Sequence, residues 1–214
     1  SWTQQGNKLV GTGVTGSDAR QGFAVALSAN GNTLISGGYG DNTFGGAVWV
    51  FTRSGTTWTQ QGTKLVGTGA TGAIVEQGYS VAVSSDGNTL ISGGESDNTN
   101  VGAVWVFTRT SGVWTQQGAK LVGTGSVGQC RQGYSVAVNS DGNTFVTGGY
   151  LDNTSAGAAW VFTRTSGTWA QQGAKLVGTG ATGATIEQGR GVALSADGNT
   201  LAIGGSSDST LVGA

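Results

Sequence analysis

The chain of 214 residues contains no proline, no methionine and no histidine, and Cys130 is its single cysteine. Without histidine, neither a Ser-His-Asp triad nor a Cys-His pair can form. A zinc site would also lack its commonest nitrogen ligand, and one cysteine allows no disulfide within the chain. These absences predict a protein that is not an enzyme and that binds no cofactor.

Charge and long apolar runs are scarce as well. Charged residues make up 10% of the chain and the formal net charge is -1, so the basic surface used for nucleic-acid binding is missing. No apolar run approaches the ~18 residues that cross a membrane, so we expect no membrane insertion. The chain has neither an initiator methionine nor a signal peptide, which indicates a processed or cropped piece of a longer chain.

Glycine, by contrast, is abundant, with 42 residues, roughly three times the usual share. An internal repeat accounts for it, because the same unit recurs every 55 or 56 residues. Its motif Trp-x-Gln-Gln-Gly begins at Trp2, Trp58, Trp114 and Trp169. The chain therefore consists of nearly four copies of one unit.

Each unit is predicted to form four strands, most clearly in the second copy. The first strand, Gly78–Ser85, alternates large residues (Tyr79, Val81, Val83) with small ones, and an Asp-Gly turn leads into a second strand, "NTLISGG". A third strand follows at Gly102–Arg109, and "VWTQQGAKLV" forms the fourth. Four antiparallel strands in ~55 residues are the size of one propeller blade. We therefore predict an all-β fold, a β-propeller of four-stranded antiparallel blades, with a solenoid as the alternative.

The predicted organisation is a single propeller segment over residues 1–214. It divides into an outer strand and linker at 1–21, repeats at 22–77, 78–132 and 133–188, and a partial fourth repeat at 189–214. The outer strand, Trp2–Val10, and the shortened fourth repeat leave one blade incomplete. We therefore predict that the chain assembles with itself as a homodimer, or that it belongs to a longer parent propeller.

The sequence "QGYSVAVSSDGNTLISGG…DNTNVGAVWVFTR…WTQQGAKLVGTG" resembles the bacterial branch of the FG-GAP repeats, the blade unit of integrin-type β-propellers. The resemblance extends over all four copies and implies an extracellular or cell-surface protein that takes part in adhesion. Many members carry a calcium loop, Asp-x-Asn-x-Asp-Gly, between the first two strands. Here that loop offers one carboxylate at most. Because calcium takes about six to eight oxygens, we predict no metal and no effect of chelators on stability.

The long loops form the predicted binding surface. In this strand order, the loops between the second and third strands lie on the same face as the linkers between repeats. The Asp-Asn pair of the first three loops, with Asp-Ser as its weaker copy in the fourth, either forms an Asx-turn or supplies one polar contact per blade to a sugar or an ion. The candidate binding residues of this face are Tyr39, Asp41, Asn42, Glu95, Asp97, Asn98, Tyr150, Asp152, Asn153 and Asp208.

A second set of residues alternates in charge from copy to copy and stands just before each innermost strand. These residues are predicted to ring the mouth of the central channel, where we expect neighbouring Arg and Glu side chains to pair. The set consists of Arg20, Glu76, Arg131 and Glu187.

The tryptophans fall into two groups. Those in the middle of the third strand are predicted to pack between blades: Trp49, Trp105 and Trp160. Those that open the fourth strand either pack at the blade rim or stack on sugar rings: Trp2, Trp58, Trp114 and Trp169. Cys130 lies in a variable loop, and we expect its replacement by serine to leave stability unchanged.

Together these patterns favour a non-catalytic binding or adhesion module, or a structural one, whose partners are a second copy of itself and a surface glycan or protein. One alternative is a lectin-like propeller with one shallow sugar site per blade. Another is a self-assembling scaffold without a ligand. Binding to a glycan array would separate these two alternatives.

Overall fold

The computed structural model describes residues 1–183, 185–208 and 213. Its strands form three four-stranded antiparallel sheets and one two-stranded sheet, each a meander of consecutive strands. No helix among the described residues is long and apolar enough to cross a membrane. The predicted all-β propeller of four-stranded blades is confirmed, and two strands of the fourth blade lie in the described part of the chain.

The blades follow one another along the chain. Blade 1 contains β1 (Ala24–Leu27), β2 (Thr33–Gly38), β3 (Ala47–Ser54) and β4 (Thr57–Gln60). Blade 2 contains β5 (Ser80–Val83), β6 (Thr89–Gly94), β7 (Ala103–Thr110) and β8 (Val113–Gln116). Blade 3 contains β9 (Ser135–Val138), β10 (Thr144–Gly149), β11 (Ala158–Thr165) and β12 (Thr168–Gln171), and blade 4 contains β13 (Gln188–Leu194) and β14 (Leu201–Gly205). Short helical turns connect the second and third strands of the first three blades: α1 (Asp41–Phe44), α2 (Asp97–Asn100) and α3 (Asp152–Ser155).

The third strand is the longest of each complete blade, and its first half is largely buried. In blade 2, β7 has the sequence AVWVFTRT, and its first five residues are buried. The outer strand β8 pairs with the last four residues of β7. The chain then turns at Gly118, where φ is 77°, and Leu121 rejoins β7 opposite Val104. The fourth strand is therefore shorter than predicted, because a turn interrupts it.

Adjacent blades pack face to face through apolar side chains. At the junction of blades 1 and 2, Ile35 and Val50 of blade 1 join a buried cluster with Leu90 and Phe107 of blade 2. Facing surfaces of different side-chain size fill the space between two sheets at the density of a protein interior. The alternation of large and small residues along the inner strand therefore sets how the blades stack.

The tryptophans of the third strands are fully buried, which confirms the predicted core packing of Trp49, Trp105 and Trp160. In blade 2, the Trp105 indole N–H donates to the Thr68 carbonyl at 2.8 Å. A Cβ at Gly67 would lie 2.1 Å from Cδ1 of Trp105. The linker can therefore cross the indole ring only because this residue is glycine.

Three of the four rim tryptophans pack against their blades. The Trp114 ring is half-buried beneath the Arg109 guanidinium, 5.3 Å from its centroid. Its indole N–H donates to Gln61 of the preceding blade at 2.9 Å. Arginines lie over Trp58 and Trp169 in the same way. The ring face that sugar stacking needs is thus occupied by arginine, which favours the rim-packing interpretation.

The predicted outer strand at Trp2–Val10 is not formed. This segment has no strand pairing and its side chains are exposed, Trp2 completely. The outer strands β4, β8 and β12 each pair with the third strand of their blade. Among the described residues, no such third strand lies beside the N-terminal segment. Gln5 nevertheless accepts a hydrogen bond from Arg53 Nη1 at 3.2 Å, as the equivalent glutamines do at the inner blade junctions.

Candidate binding face

The end of the molecule that carries α1–α3 and the linkers between blades is called the loop face here. In blade 2, the turn at Asp97–Asn100 is left-handed, because Asn98, Thr99 and Asn100 have φ values of 50°, 58° and 68°. The same three positions are left-handed in blades 1 and 3. Such a conformation costs an L-residue about 1–2 kcal/mol. Contacts from the surrounding chain must therefore hold the turn in place.

The main contact that holds this turn is a buried aspartate. The Asp97 Oδ1 accepts the Thr71 backbone N–H at 2.6 Å, and its Oδ2 pairs with Lys120. Asp41 and Asp152 make the same contacts in their blades, and all three are fully buried. Two interpretations of these aspartates, an Asx-turn within the loop and an exposed ligand contact, are therefore wrong. Their carboxylates tie the loop to the linker.

The asparagines that follow these aspartates have a different environment. Asn42, Asn98 and Asn153 are exposed on the loop face, and their role in binding stays a prediction. In the fourth repeat, Asp208 is buried and accepts the Thr182 N–H at 2.7 Å, like its counterparts.

A row of partly exposed aromatic rings crosses the loop-face ends of the inner strands. The Tyr79 ring centroid lies 4.9 Å from that of Phe23 and 5.4 Å from that of Tyr39. On the other side it lies 5.3 Å from Tyr134, whose centroid is 4.5 Å from that of Tyr150. We call these five residues the aromatic row. It forms a continuous surface across blades 1 to 3.

Two arginines flank the aromatic row. The Arg20 guanidinium lies over the Tyr39 ring at 4.8 Å, and that of Arg190 lies over the Tyr150 ring at 4.9 Å. Burial, together with the nearby Glu95 carboxylate, raises the pKa of Tyr79. Tyrosine and arginine are enriched where proteins meet one another. This part of the loop face can therefore bind a partner by stacking and apolar contact.

The four charged residues before the inner strands do reach this face, and all four have positive φ. No ion pair joins them to one another in the described chain, so the expected pairing of neighbours is wrong. Each of the four instead contacts another residue close to it, on a linker, on a loop or at the start of a strand. Arg20 pairs with Asp18, Glu76 accepts a hydrogen bond from Ser96, Arg131 pairs with Glu95, and Glu187 pairs with Arg190.

A cavity of about 520 Å³ opens on the loop face of blade 2, between α2 and the linker that arrives from blade 1. Glu76, Glu95 and Arg131 are among its lining residues. Burial raises the pKa of the Glu95 carboxyl, although Arg131 Nη1 lies 3.1 Å from its Oε1. The Glu95 Oε2 and the Arg131 Nε have no hydrogen-bond partner among the described residues. In blades 1 and 3, Tyr39 and Tyr150 occupy the position of Glu95, so the cavity lies where the shorter side chain stands.

Cys130 lies in the linker between blades 2 and 3, and its side chain is buried in the core. It is fully buried in a cluster that includes Val104 and Trp160, and its thiol donates to the Val101 carbonyl at 3.1 Å. Val75, the equivalent residue of the preceding repeat, is buried as well. Burial raises the pKa of the Cys130 thiol. The structure thus contradicts the basis for treating Cys130 as dispensable.

The donor set of the loop face offers no metal centre in the part of the chain that the structure describes, since no three acidic or cysteine side chains converge there. Chelation therefore remains the experiment that tests the predicted indifference to metal ions.

Comparisons with known proteins match a short part of the chain to a family. Residues 60–101 match the family described as "WD40: WD domain, G-beta repeat". The matched segment begins at the last residue of β4 and ends just after α2, so it includes parts of blades 1 and 2. No curated protein matches the chain significantly.

Among solved structures, the chain is similar to "Crystal structure of the Saccharomyces cerevisiae Sqt1". The identity is 17%, the TM-score is 0.49, and the alignment covers 72% of this chain and 35% of that one. The chain therefore spans about a third of the length of that protein.

The resemblance to the FG-GAP repeats is wrong, because the family match is to WD40 repeats and not to FG-GAP repeats. The features that suggested it, strand alternation, tight hairpin turns and glycine-rich loops, describe blade geometry and do not separate one propeller family from another. WD40 repeats generally build non-catalytic scaffolds for interaction. The broad prediction of a non-catalytic interaction scaffold agrees with this match, whereas cell adhesion has no support from it.

Proposed function

We propose that the protein is a non-catalytic binding module that holds a segment of a partner protein on its loop face. The aromatic row is the observation that supports this function. Its five rings are partly exposed and in continuous contact, with Arg20 and Arg190 at the two ends. Large, rigid aromatic side chains bury much area at a low cost in conformational entropy, which is why they dominate the energetics of protein interfaces.

The cavity on the loop face of blade 2 adds an electrostatic preference. Two carboxylates, Glu76 and Glu95, line it with one guanidinium, Arg131. This excess of negative charge complements a basic side chain. We therefore favour a partner segment that combines an aromatic or aliphatic stretch with a lysine or arginine.

A lectin with one shallow site per blade has less support. The aspartates that would supply its contact in each blade, Asp41, Asp97 and Asp152, are buried in ion pairs. An extracellular or cell-surface location stays a prediction of the sequence, and fractionation of cells that produce the protein measures it.

Selection of random displayed peptides on the purified chain tests the proposed function. We expect the selected peptides to lose at least about tenfold in affinity when Tyr79 and Tyr134 are both replaced by serine, because truncating central aromatic contacts costs more than about 1.4 kcal/mol. Val113→Thr is the control, since Val113 is exposed on the hairpin between β7 and β8 at the opposite end of the blade. Thermal melting of each variant checks that the fold persists.

Peptides that bind the Tyr79→Ser, Tyr134→Ser variant as tightly as the unaltered chain would place the binding surface elsewhere. A glycan array screened with the same proteins addresses the lectin alternative. Sugar binding that disappears with the two tyrosines would replace the protein partner by a glycan. No binding in either screen would support the scaffold without a ligand.

A further inference from the structure

Each inner junction of the molecule joins two defined blade faces. The forward face of a blade packs on the following blade and contains, in blade 1, Ala26 and Ile35. The rear face packs on the preceding blade and contains, in blade 2, Val81 and Val83. The junction of blades 2 and 3 repeats this pairing with equivalent residues. The forward face of one blade is therefore complementary to the rear face of the next.

The rear face of blade 1 is uncovered. Val25 and Leu27 of β1 are the counterparts of Val81 and Val83, and they are 64% and 55% exposed. Their counterparts in blades 2 and 3 are half-buried, because a forward face packs against them. Together the two side chains form an apolar patch that no blade of the described chain covers.

The forward face of blade 4 is uncovered as well. Ala193 and Ala202 are the counterparts of Ala26 and Ile35, and they pair with each other across β13 and β14. Both are exposed. The described chain thus carries one open rear face and one open forward face, which are the two halves of a junction.

A row of backbone hydrogen bonds ends at the same two blades. In the turns between first and second strands, the Ala29 N–H donates to the Ser85 carbonyl at 3.1 Å, and the Ser85 N–H donates to the Ser140 carbonyl at 3.1 Å. The Ser140 N–H donates to the Ala196 carbonyl at 2.9 Å. Among the described residues, the Ala196 N–H and the Ala29 carbonyl are left without partners. At each inner junction the N–H of one blade donates to the carbonyl of the following blade. The free N–H lies in blade 4 and the free carbonyl in blade 1, so a junction between these blades would add one more bond of the same kind.

We propose that a second copy of this chain packs on these faces head to tail, with the forward face of blade 4 against the rear face of blade 1. A second copy is the occupant because it supplies a forward face of the kind that already covers two rear faces inside the chain. It also supplies the N–H group that the Ala29 carbonyl lacks. Two copies that form both junctions close on themselves with two-fold symmetry, which leaves no open face for a third.

This association uses the sides of the end blades and not the loop face, so it goes beyond the binding function proposed above and can fail independently of it. Sedimentation velocity of the purified chain between about 1 and 100 μM measures it directly, since affinities in this range give mixtures of one and two chains. We expect a particle with the mass of two chains at the upper concentration.

Val25→Asp is the first test variant, because it places a carboxylate in the apolar junction. Val25 is exposed in the single chain, so its fold is expected to persist. The dissociation constant should rise at least tenfold. Val113→Asp is the matched control, since Val113 is 62% exposed, almost as much as Val25, but lies on the hairpin between β7 and β8. It should leave the dissociation constant unchanged.

An introduced pair of opposite charges tests whether blade 4 of one copy contacts blade 1 of the other. Ala202→Lys alone should also weaken the dimer, whereas Ala202→Lys combined with Val25→Asp in one chain should restore much of it, because the counterparts Ile35 and Val81 share one cluster. A chain that stays monomeric over the whole range would overturn the proposal. So would a dimer that is insensitive to Val25→Asp, a double variant as weak as either single variant, or open-ended assemblies larger than two chains.

Discussion

At the scale of single residues, the buried ion pairs of the loop face give the clearest energetic expectation. Asp97 is fully buried between Lys120 and the Thr71 N–H. Asp97→Asn leaves the Lys120 charge without its partner. We expect the free energy of unfolding to fall by on the order of 3 kcal/mol, measured by urea denaturation.

Asn98→Gly is the matched control, since Asn98 is exposed and glycine keeps its left-handed φ without strain. Its effect should stay within about 0.5 kcal/mol. Equal losses in the two variants would show that the turn, and not the ion pair, determines the stability of this region.

The inward orientation of the buried loop-face aspartates, such as Asp97, could not be predicted from sequence. The repeat shows that an aspartate recurs, and a loop position favours an exposed or self-capping side chain. The two partners of Asp97, Thr71 and Lys120, lie 26 and 23 residues away. Only the fold brings them together. The buried position of Cys130 escaped prediction for the same reason, because the linker that carries it packs under the next blade.

At the scale of elements, the left-handed turns store strain that a substitution can release. Thr99 is exposed and β-branched and has a φ of 58°. Asparagine tolerates this region much better than threonine does. We expect Thr99→Asn to raise the free energy of unfolding by about 1 kcal/mol, measured by urea denaturation.

Thr115→Asn is the control for this substitution. Thr115 is exposed in β8, an extended strand where threonine is favoured over asparagine, so the same change should lower stability. If both variants shift stability in the same direction, backbone strain at Thr99 does not explain the effect.

The turns between first and second strands link stability to pH. In blade 3, the backbone N–H of Asn143 donates to the Asp141 carboxylate at 2.8 Å and lowers the pKa of Asp141. A carboxyl whose pKa is lowered by folding stabilises the protein above its unfolded pKa, and this contribution is lost as pH falls through the folded value. Asp86 and Asp197 have lowered pKa values in the equivalent turns. The first copy has Asn30 there, which cannot titrate.

We therefore expect Asp86→Asn, Asp141→Asn and Asp197→Asn, combined in one chain, to flatten the loss of stability in acid. Urea midpoints at about pH 7 and pH 3 should differ less in the triple variant than in the unaltered chain, because the span includes the carboxyl titration. An identical difference in the two proteins would show that these turns do not contribute to the acid sensitivity.

At the scale of the whole molecule, the sequence predicted the blades far better than the binding face. A blade is a local meander, so strand alternation and turn residues within ~55 residues specify it. The aromatic row joins three blades, and its members are not neighbours in the chain. Alternation assigned Tyr79 to the packed face with Val81 and Val83. The observed strand β5 begins at Ser80, however, and Tyr79 lies just before it, with its ring in the aromatic row. The fourth strand, β8, was predicted to be longer than it is, because the turn at Gly118 ends its pairing early.

The stability of the molecule as one unit depends on contacts between blades, and Arg109 makes a polar one between blades 1 and 2. Its guanidinium donates to Gln61 and Thr33 of blade 1, at 3.0 and 3.3 Å, as well as to Asn88 of its own blade. A double-mutant cycle with Arg109→Ala and Gln61→Ala isolates the pair across the junction. We expect a coupling energy of about 1.5 kcal/mol, since the hydrogen bond carries a charge and is half-buried. Urea denaturation of the two single variants and the double variant measures it.

The equivalent pair at the N-terminal end of the chain is the internal control for this cycle. Arg53 donates to Gln5 at 3.2 Å, but Gln5 lies in an exposed segment without strand pairing. Because no strand pairing holds this exposed glutamine in place, the coupling of Arg53→Ala with Gln5→Ala should stay below about 0.5 kcal/mol. Coupling as strong here as between Arg109 and Gln61 would mean that the hydrogen bond alone sets the energy. A large difference would instead assign the energy to the rigid junction between two packed blades, and blades 1 and 2 should then unfold together.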